Sequence, residues 1–283
     1  MKILLTGANG QLGRCFQDLA SENHTVLALG SQELDISSRQ LVLDAVTEFK
    51  PDVIVNAAAY TAVDKAESDA ERAAAVNAHG PENLAIAAKA VGAKFVHVST
   101  DYVFDGSAQQ PYLETDAVNP PGVYGQTKLA GELLVSSILP QAIILRTAWV
   151  FSEYGNNFVK TMLRLAKDRP ELGVVADQVG CPTYAGDIAA AIMHLVDKEA
   201  AGGIYHYCGD TSVSWAEFAQ AIFAQAVKAN VLQSAPKVNF IGSEQYPTPA
   251  KRPAYSVLST DKVSAYSPAS DWQQALVNII PQL

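Results

Sequence analysis

Short apolar runs rich in β-branched residues alternate with stretches whose apolar residues recur every three or four positions through the first half of the chain. The runs at 2–6, 25–29, 53–56, 94–99 and 142–146 predict strands. Between them Leu12, Phe16 and Leu19, then Leu41, Val42, Ala45, Val46 and Phe49, repeat at helical spacing. Strands joined in this way through helices form a parallel sheet covered on both faces. The expected fold class is therefore α/β, a Rossmann-type doubly wound parallel sheet. Residues 77–90 are alanine-rich and predict a helix, with Pro81 at a first turn or at a break between two helices. Residues 107–121 lack periodicity and carry three prolines, which predicts a loop.

The pattern weakens after Trp149. Helices are predicted over 157–168, 187–196, 214–225 and 271–280, and short strands over 172–175 and 204–207. Pro236, Pro247, Pro249 and Pro253 break up the segment before the last helix. Residues 1–150 are expected to form a dinucleotide-binding domain. Residues 151–283 are expected to form mostly a smaller C-terminal substrate-binding lobe, with some segments returning to the main sheet.

Composition narrows the function classes. With 283 residues, 49% hydrophobic and 17% charged, the chain has the make-up of a globular enzyme. A net charge of −9 repels phosphate backbones, so nucleic acid is not an expected partner. No apolar run approaches the length that crosses a bilayer, and Met1-Lys2-Ile3 leads into a strand pattern rather than a signal peptide. A cytoplasmic protein with no membrane partner is expected. Cys15, Cys181 and Cys208 are widely spaced and form no CxxC, which argues against a disulfide framework and a zinc site. We read them as buried thiols and expect no protein metal ligands.

The chemistry-bearing residues follow strand ends. Gly7-Ala8-Asn9-Gly10-Gln11-Leu12-Gly13 directly follows the first strand and opens the first helix, a tight turn on which a pyrophosphate would sit. Its spacing is GxxGxxG. Asp35 and Ile36 lie about where an adenine would rest, though an N-cap region is nearly as good an account. An acid at the end of the second strand would repel a 2′-phosphate, and the chain has Gly30-Ser31-Gln32 there, so NADPH and NADH are both expected to serve, with a lean toward NADPH. The small residues after Asn56 let a flat cofactor lie against backbone. Asn77 either positions a lysine through solvent or satisfies helix backbone. Thr100 ends the fourth strand, where ligands bind in such sheets. Tyr124 and Lys128 stand four residues apart on one face of a predicted helix, where the ammonium would draw the phenol pKa downward and make a proton donor. Beside a nicotinamide, that donor and the Thr100 hydroxyl meet the needs of carbonyl reduction. Trp149, just beyond the fifth strand, offers a flat apolar face for a deoxysugar or serves as a core indole.

These stretches resemble the extended short-chain dehydrogenase/reductases, and within them the dTDP-4-dehydrorhamnose reductases. The resemblance is carried by NAAAYTAVDKAE at 56–67, STDYVF at 99–104, YGQTKLAGE at 124–132, RTAWV at 146–150, NNFVKTM at 156–162, DQVGCPT at 177–183 and YPTPAKRPAYS at 246–256. It implies catalytic roles for Thr100, Tyr124 and Lys128, and cofactor contacts from Gly10, Gln11, Leu12, Asp35, Ile36, Ala59, Tyr60 and Thr61. It also implies substrate contacts from Thr100, Asp101 and Trp149, with Arg252 available to a nucleotide diphosphate as a bidentate donor. The expected reaction is reduction of the C4 keto group of a dTDP-4-keto-6-deoxysugar for cell-surface polysaccharide, such as lipopolysaccharide O-antigen, by a monomer or homodimer. Some members assemble around a magnesium ion held by carboxylates; Cys15 stands where such members carry an acid, and no ligand set is evident. Two rivals remain: another nucleotide-sugar reductase, epimerase or dehydratase, and a dinucleotide-binding regulatory subunit without turnover, such as that of methionine adenosyltransferase. A dehydratase needs an extra acid at position 102, which here is tyrosine, a poor acid at neutral pH.

Overall fold

The computed structural model describes residues 1–20 and 24–283. β1 (Lys2–Thr6), α1 (Gln11–Leu19), β2 (Thr25–Leu29), α2 (Arg39–Phe49) and β3 (Val53–Asn56) precede two short helices, α3 (Val63–Ala66) and α4 (Ala70–Ala74). A π-helical turn at Ala75–His79 then runs into α5 (Gly80–Val91), with Pro81 at the break between the two. β4 (Lys94–Thr100), α6 (Val123–Ile138), β5 (Ile143–Thr147) and β6 (Val150–Phe151) follow. α7 (Phe158–Ala166), β7 (Glu171–Val175), β8 (Val179–Gly180), β9 (Thr183–Tyr184), α8 (Ala185–Asp197) and β10 (Gly203–His206) come next. β11 (Val213–Ser214), α9 (Trp215–Lys228), β12 (Lys237–Ile241) and α10 (Trp272–Ile279) complete the chain.

Six strands form one parallel sheet in the order β10-β5-β4-β3-β1-β2. The chain leaves β1 toward β2 and then returns past β1 to β3, so the strand order reverses between β1 and β3. Ligands of open parallel sheets bind at the carboxyl ends of the strands beside such a reversal. Alternation of side chains along each strand divides the core. Ile3 and Leu5 of β1 pack with Phe16 of α1 and Ile188 and Ile192 of α8 on one face. Leu4 packs with Val42 and Val46 of α2 and Leu84 and Ala88 of α5 on the other.

The second half of the chain divides among three apolar clusters, one of which gathers Cys181, Cys208, Val257 and Leu258 around Phe104. α8 and β10 join the main sheet, whereas α7, α9 and α10 enclose a separate apolar cluster with Phe151, Leu172 and Val174. β12 differs from expectation, because a broken segment was expected around Pro236. It pairs in parallel with β7 over its whole length. Pro236 lies just before the strand, where its missing N–H costs no ladder bond, and Lys237 N donates to Pro170 O at 2.9 Å. Among the described residues no helix is long and apolar enough to cross a membrane.

Candidate active site

A cavity of about 670 Å³ opens at the carboxyl ends of β1, β3, β4 and β5. Its floor begins with the turn from β1 to α1. Gly7 has φ +74°, and a Cβ there would lie 2.6 Å from the backbone of Ala57. A Cβ on Gly13 would lie 2.2 Å from Gly7 O, so these two glycines close the turn against itself and against β3. Gly10 is exposed at the N-cap of α1 with no side-chain cap, which leaves the first amides of the helix facing the cavity. Gln11 and Leu12 line the cavity, but the Gln11 side chain is already engaged. Its Oε1 accepts from Ser152 Oγ at 3.1 Å and from Asn157 Nδ2 at 2.8 Å. The turn fits the pyrophosphate of a dinucleotide through backbone alone.

Asp35, Ile36, Ala59 and Thr61 line the same cavity beside Gly30 and Ser31. The Asp35 carboxylate accepts from Ser37 N and Oγ, and the hydroxyl holds its pKa below the ordinary value. Tyr60 departs from expectation. Its hydroxyl donates to Asp69 at 3.0 Å, which turns the phenol to α4, and Asn77 clamps its backbone by accepting from Tyr60 N and donating to Tyr60 O. Asn77 is fully buried and also donates to Thr127 Oγ1, so satisfying backbone is its structural work. Arg72 of α4 was not anticipated. It lines the cavity, and its charge helps to lower the Asp35 pKa.

Thr100, Tyr124 and Lys128 converge on this cavity, Thr100 from the end of β4 and the other two from the first turns of α6. Gly125 allows the approach, since a Cβ there would lie 2.2 Å from Tyr102 O. Lys128 is buried, donates from Nζ to Val98 O at 2.7 Å, and is lowered by burial to about 8. Burial pushes the Tyr124 phenol well above its usual value, with the Thr100 hydroxyl opposing. Lys128 does not draw it down as expected, because the ammonium is aimed at the backbone of β4. A phenol raised in this way keeps its proton at neutral pH.

Asp101 also lines the cavity and is 2% exposed, with Oδ1 accepting from Thr100 Oγ1 at 2.9 Å. Burial raises its pKa from 3.8 to about 6. Between those values the folded protein holds a proton that the unfolded chain has released. The contribution of Asp101 to stability is therefore greatest below about pH 4 and is lost as the pH rises through about 6. Asp101→Asn should gain stability over the unaltered chain on the order of 2–3 kcal/mol at pH 7 relative to pH 4. Urea titrations of both proteins at the two pH values measure this, and parallel curves would contradict it.

Trp149 lines the cavity wall, half-buried. Arg252 lies instead in an adjoining cavity of about 1100 Å³ that also takes in Gln178, Trp215 and Tyr246. Its guanidinium pairs with Asp64 Oδ2 at 2.8 Å and donates to Tyr102 OH at 3.2 Å. Among the described residues no cluster of three His, Cys, Asp or Glu side chains could hold a metal ion, and burial pushes the Cys15 thiol up to about 12, which keeps it protonated.

The chain matches the model of the RmlD substrate binding domain over residues 1–283. It is 51% identical over 287 residues to dTDP-4-dehydrorhamnose reductase of Aggregatibacter actinomycetemcomitans, covering 98% of each chain. Among solved structures, a dTDP-4-dehydrorhamnose reductase from Clostridium acetobutylicum superimposes with a TM-score of 0.94 at 44% identity, over 100% of this chain and 99% of that one. A dTDP-4-dehydrorhamnose reductase from Bacillus anthracis in complex with NADP gives a TM-score of 0.93 at 38% identity, again over 100% and 99%. With a matching model that spans the whole chain and relatives that match it end to end, this protein belongs to the RmlD family, that of the dTDP-4-dehydrorhamnose reductases.

Proposed function

We propose that the protein reduces the C4 keto group of dTDP-4-dehydrorhamnose to give dTDP-L-rhamnose. The observation that carries this reading is that Thr100, Tyr124 and Lys128 share one cavity with a glycine turn open to a dinucleotide. The turn and the wall formed by Ala57, Ala58 and Ala59 would hold NADPH or NADH. When bound, the reduced nicotinamide supplies hydride to carbon. Thr100 Oγ1, turning its proton from Asp101 Oδ1, orients the carbonyl oxygen by hydrogen bonding, and Tyr124 delivers a proton to that oxygen. Lys128, whose ammonium donates to Val98 O, would be available to hydrogen-bond the ribose of the bound cofactor. Position 102 carries a phenol held by Arg252 rather than the carboxylic acid that would assist elimination of water, which favours net reduction. The adjoining cavity receives the nucleoside diphosphate, with Arg252 exchanging Asp64 for phosphate.

The deoxysugar product would serve cell-surface polysaccharide, with the enzyme acting in the cytoplasm as a monomer or homodimer. Purified protein should oxidise NADPH when given the dTDP-4-keto-6-deoxysugar, and no oxidation would refute the reading and favour a regulatory subunit. Cofactor choice gives a sharper expectation. Gly30-Ser31-Gln32 carries no acid of its own, the Glu33 carboxylate is engaged by Gly30 N at 2.9 Å and Asp35 by Ser37, and Arg72 lines the cavity beside them, so NADPH should be preferred over NADH while both work. Arg72→Ala should reduce the preference about tenfold, the worth of one hydrogen bond to a charged group. An unchanged ratio of kcat/KM for the two cofactors would remove Arg72 from that role.

A further inference from the structure

Trp149 occupies a backbone conformation that bulky residues rarely adopt, with φ at +47°. Its indole lies plane to plane on that of Trp215, the ring centroids 3.4 Å apart and the planes 3° from parallel. Gly180 lies against the same indole, since a Cβ there would come 2.5 Å from Cε2 and Nε1. Trp215 is itself anchored. It opens α9 behind a capping box formed by Ser214 and Glu217, and β11 just before it pairs with β8, the strand that carries Gly180. Phe158 packs on it at 4.7 Å between centroids.

The position of this pair separates it from ordinary packing. Trp149 lines the cavity that holds Thr100 and Tyr124, and Trp215 lines the cavity that holds Arg252. Both are half-buried, and neither indole N–H finds an acceptor among the described residues, whereas Trp272 in the second core donates to Thr211 at 2.8 Å. Indoles packed only for stability bury their faces and satisfy their N–H groups. These two instead leave donors at the boundary that a sugar joined to a diphosphate must cross.

We propose that Trp215 is a positioning residue for the sugar pocket: it fixes the plane of Trp149 where the pyranose passes from one cavity to the other, and so determines how well the sugar nucleotide fits. The proposal rests on the reductase reading. Trp215 does not reach the reacting carbonyl, so its contribution falls on the ground and transition states alike and appears in KM.

The test compares Trp215→Ala, Trp215→Phe and Gly180→Ala with the unaltered enzyme. Trp215→Ala should raise KM for the dTDP-4-keto sugar roughly three- to tenfold, the worth of one aromatic contact, with kcat and KM for NADPH nearly unchanged. Phenylalanine should restore most of the loss, and the circular-dichroism couplet of two stacked indoles should vanish in both variants. Gly180→Ala pushes Trp149 from another side and should raise the same KM while Trp215 remains. Trp215→Ala or, if it does not fold, Trp215→Phe together with Gly180→Ala decides the matter. An unchanged sugar KM in a protein that merely melts earlier, or equal rises in both KM values, would overturn the proposal. Loss of turnover on the keto sugar by the unaltered enzyme would sink the reductase reading instead, and titration of the couplet with dTDP-glucose would still report whether nucleotide sugar engages the pair.

Discussion

Tyr124→Phe should lower turnover by about two to four powers of ten, the usual worth of a positioned acid. The change deletes one hydroxyl and keeps the ring, whose edge-to-face contact with Tyr102 at 5.4 Å holds it in place. Folding and KM for NADPH should therefore change little, and the loss should appear in kcat. The phenol carries its proton across neutral pH, as a donor must, so the loss should fall on proton delivery to the carbonyl oxygen. Lys128→Met provides the contrast. It removes a buried cation bonded to Val98 O, so both cofactor affinity and rate should fall. Near-normal turnover by Tyr124→Phe, measured as NADPH oxidation beside a thermal midpoint, would refute the proton-donor role.

Much of this site was legible because its parts lie at strand ends and helix starts, where local sequence determines geometry. The turn between Gly7 and Gly13 follows from glycines placed between a strand and a helix, and the four-residue spacing of Tyr124 and Lys128 follows from helical pitch. The five strands predicted in the first half need only apolar runs, since strands buried on both faces read as such. What escaped depends on pairing across the chain. Arg252 meets Asp64 across 188 positions, and Trp215 meets Trp149 from a helix that looks like any amphipathic segment. Arg72 lies in α4, a charged five-residue helix whose placement against α6 is set by tertiary packing rather than by its own periodicity. Tyr60 was placed on the cofactor by resemblance, yet Asn77 clamps the backbone and Asp69 captures the hydroxyl. Local pattern says where a residue sits, and only the partners decide where its side chain goes.

Arg146→Ala should destabilise the protein by about 3–5 kcal/mol, the cost of leaving a buried charge without its partner. Arg146 and Glu132 are 2% and 3% exposed and meet at 2.7 Å, with a further bond from Nε to Oε1 at 3.0 Å. Ser99 Oγ donates to the same carboxylate, and Arg146 lies over the Phe104 ring at 5.1 Å from its centroid. Removing the arginine leaves Glu132 with one hydroxyl donor and only the Lys128 charge, one turn away, to offset its own. His206 provides only partial relief. Burial first, and the Arg146 charge second, lower its pKa to about 3, so loss of the arginine lets it accept a proton more readily. The single variant should for that reason recover part of its stability on acidification. Replacing both partners by apolar residues of similar size, Glu132→Leu with Arg146→Met, should cost far less than either charge alone, because no unpaired charge remains and only the Ser99 hydroxyl loses its acceptor. Urea midpoints of the two singles and the double, compared at equal slope, measure the coupling. Singles that cost less than about 1 kcal/mol would place the pair among weak surface bridges. The location of the pair gives it a second consequence. Glu132 lies one helical turn beyond Lys128 and binds Ser99, the neighbour of Thr100, so the same contacts that stabilise the core hold α6 in register with β4. Folded fractions of Arg146→Ala should accordingly lose turnover beyond what their reduced stability explains.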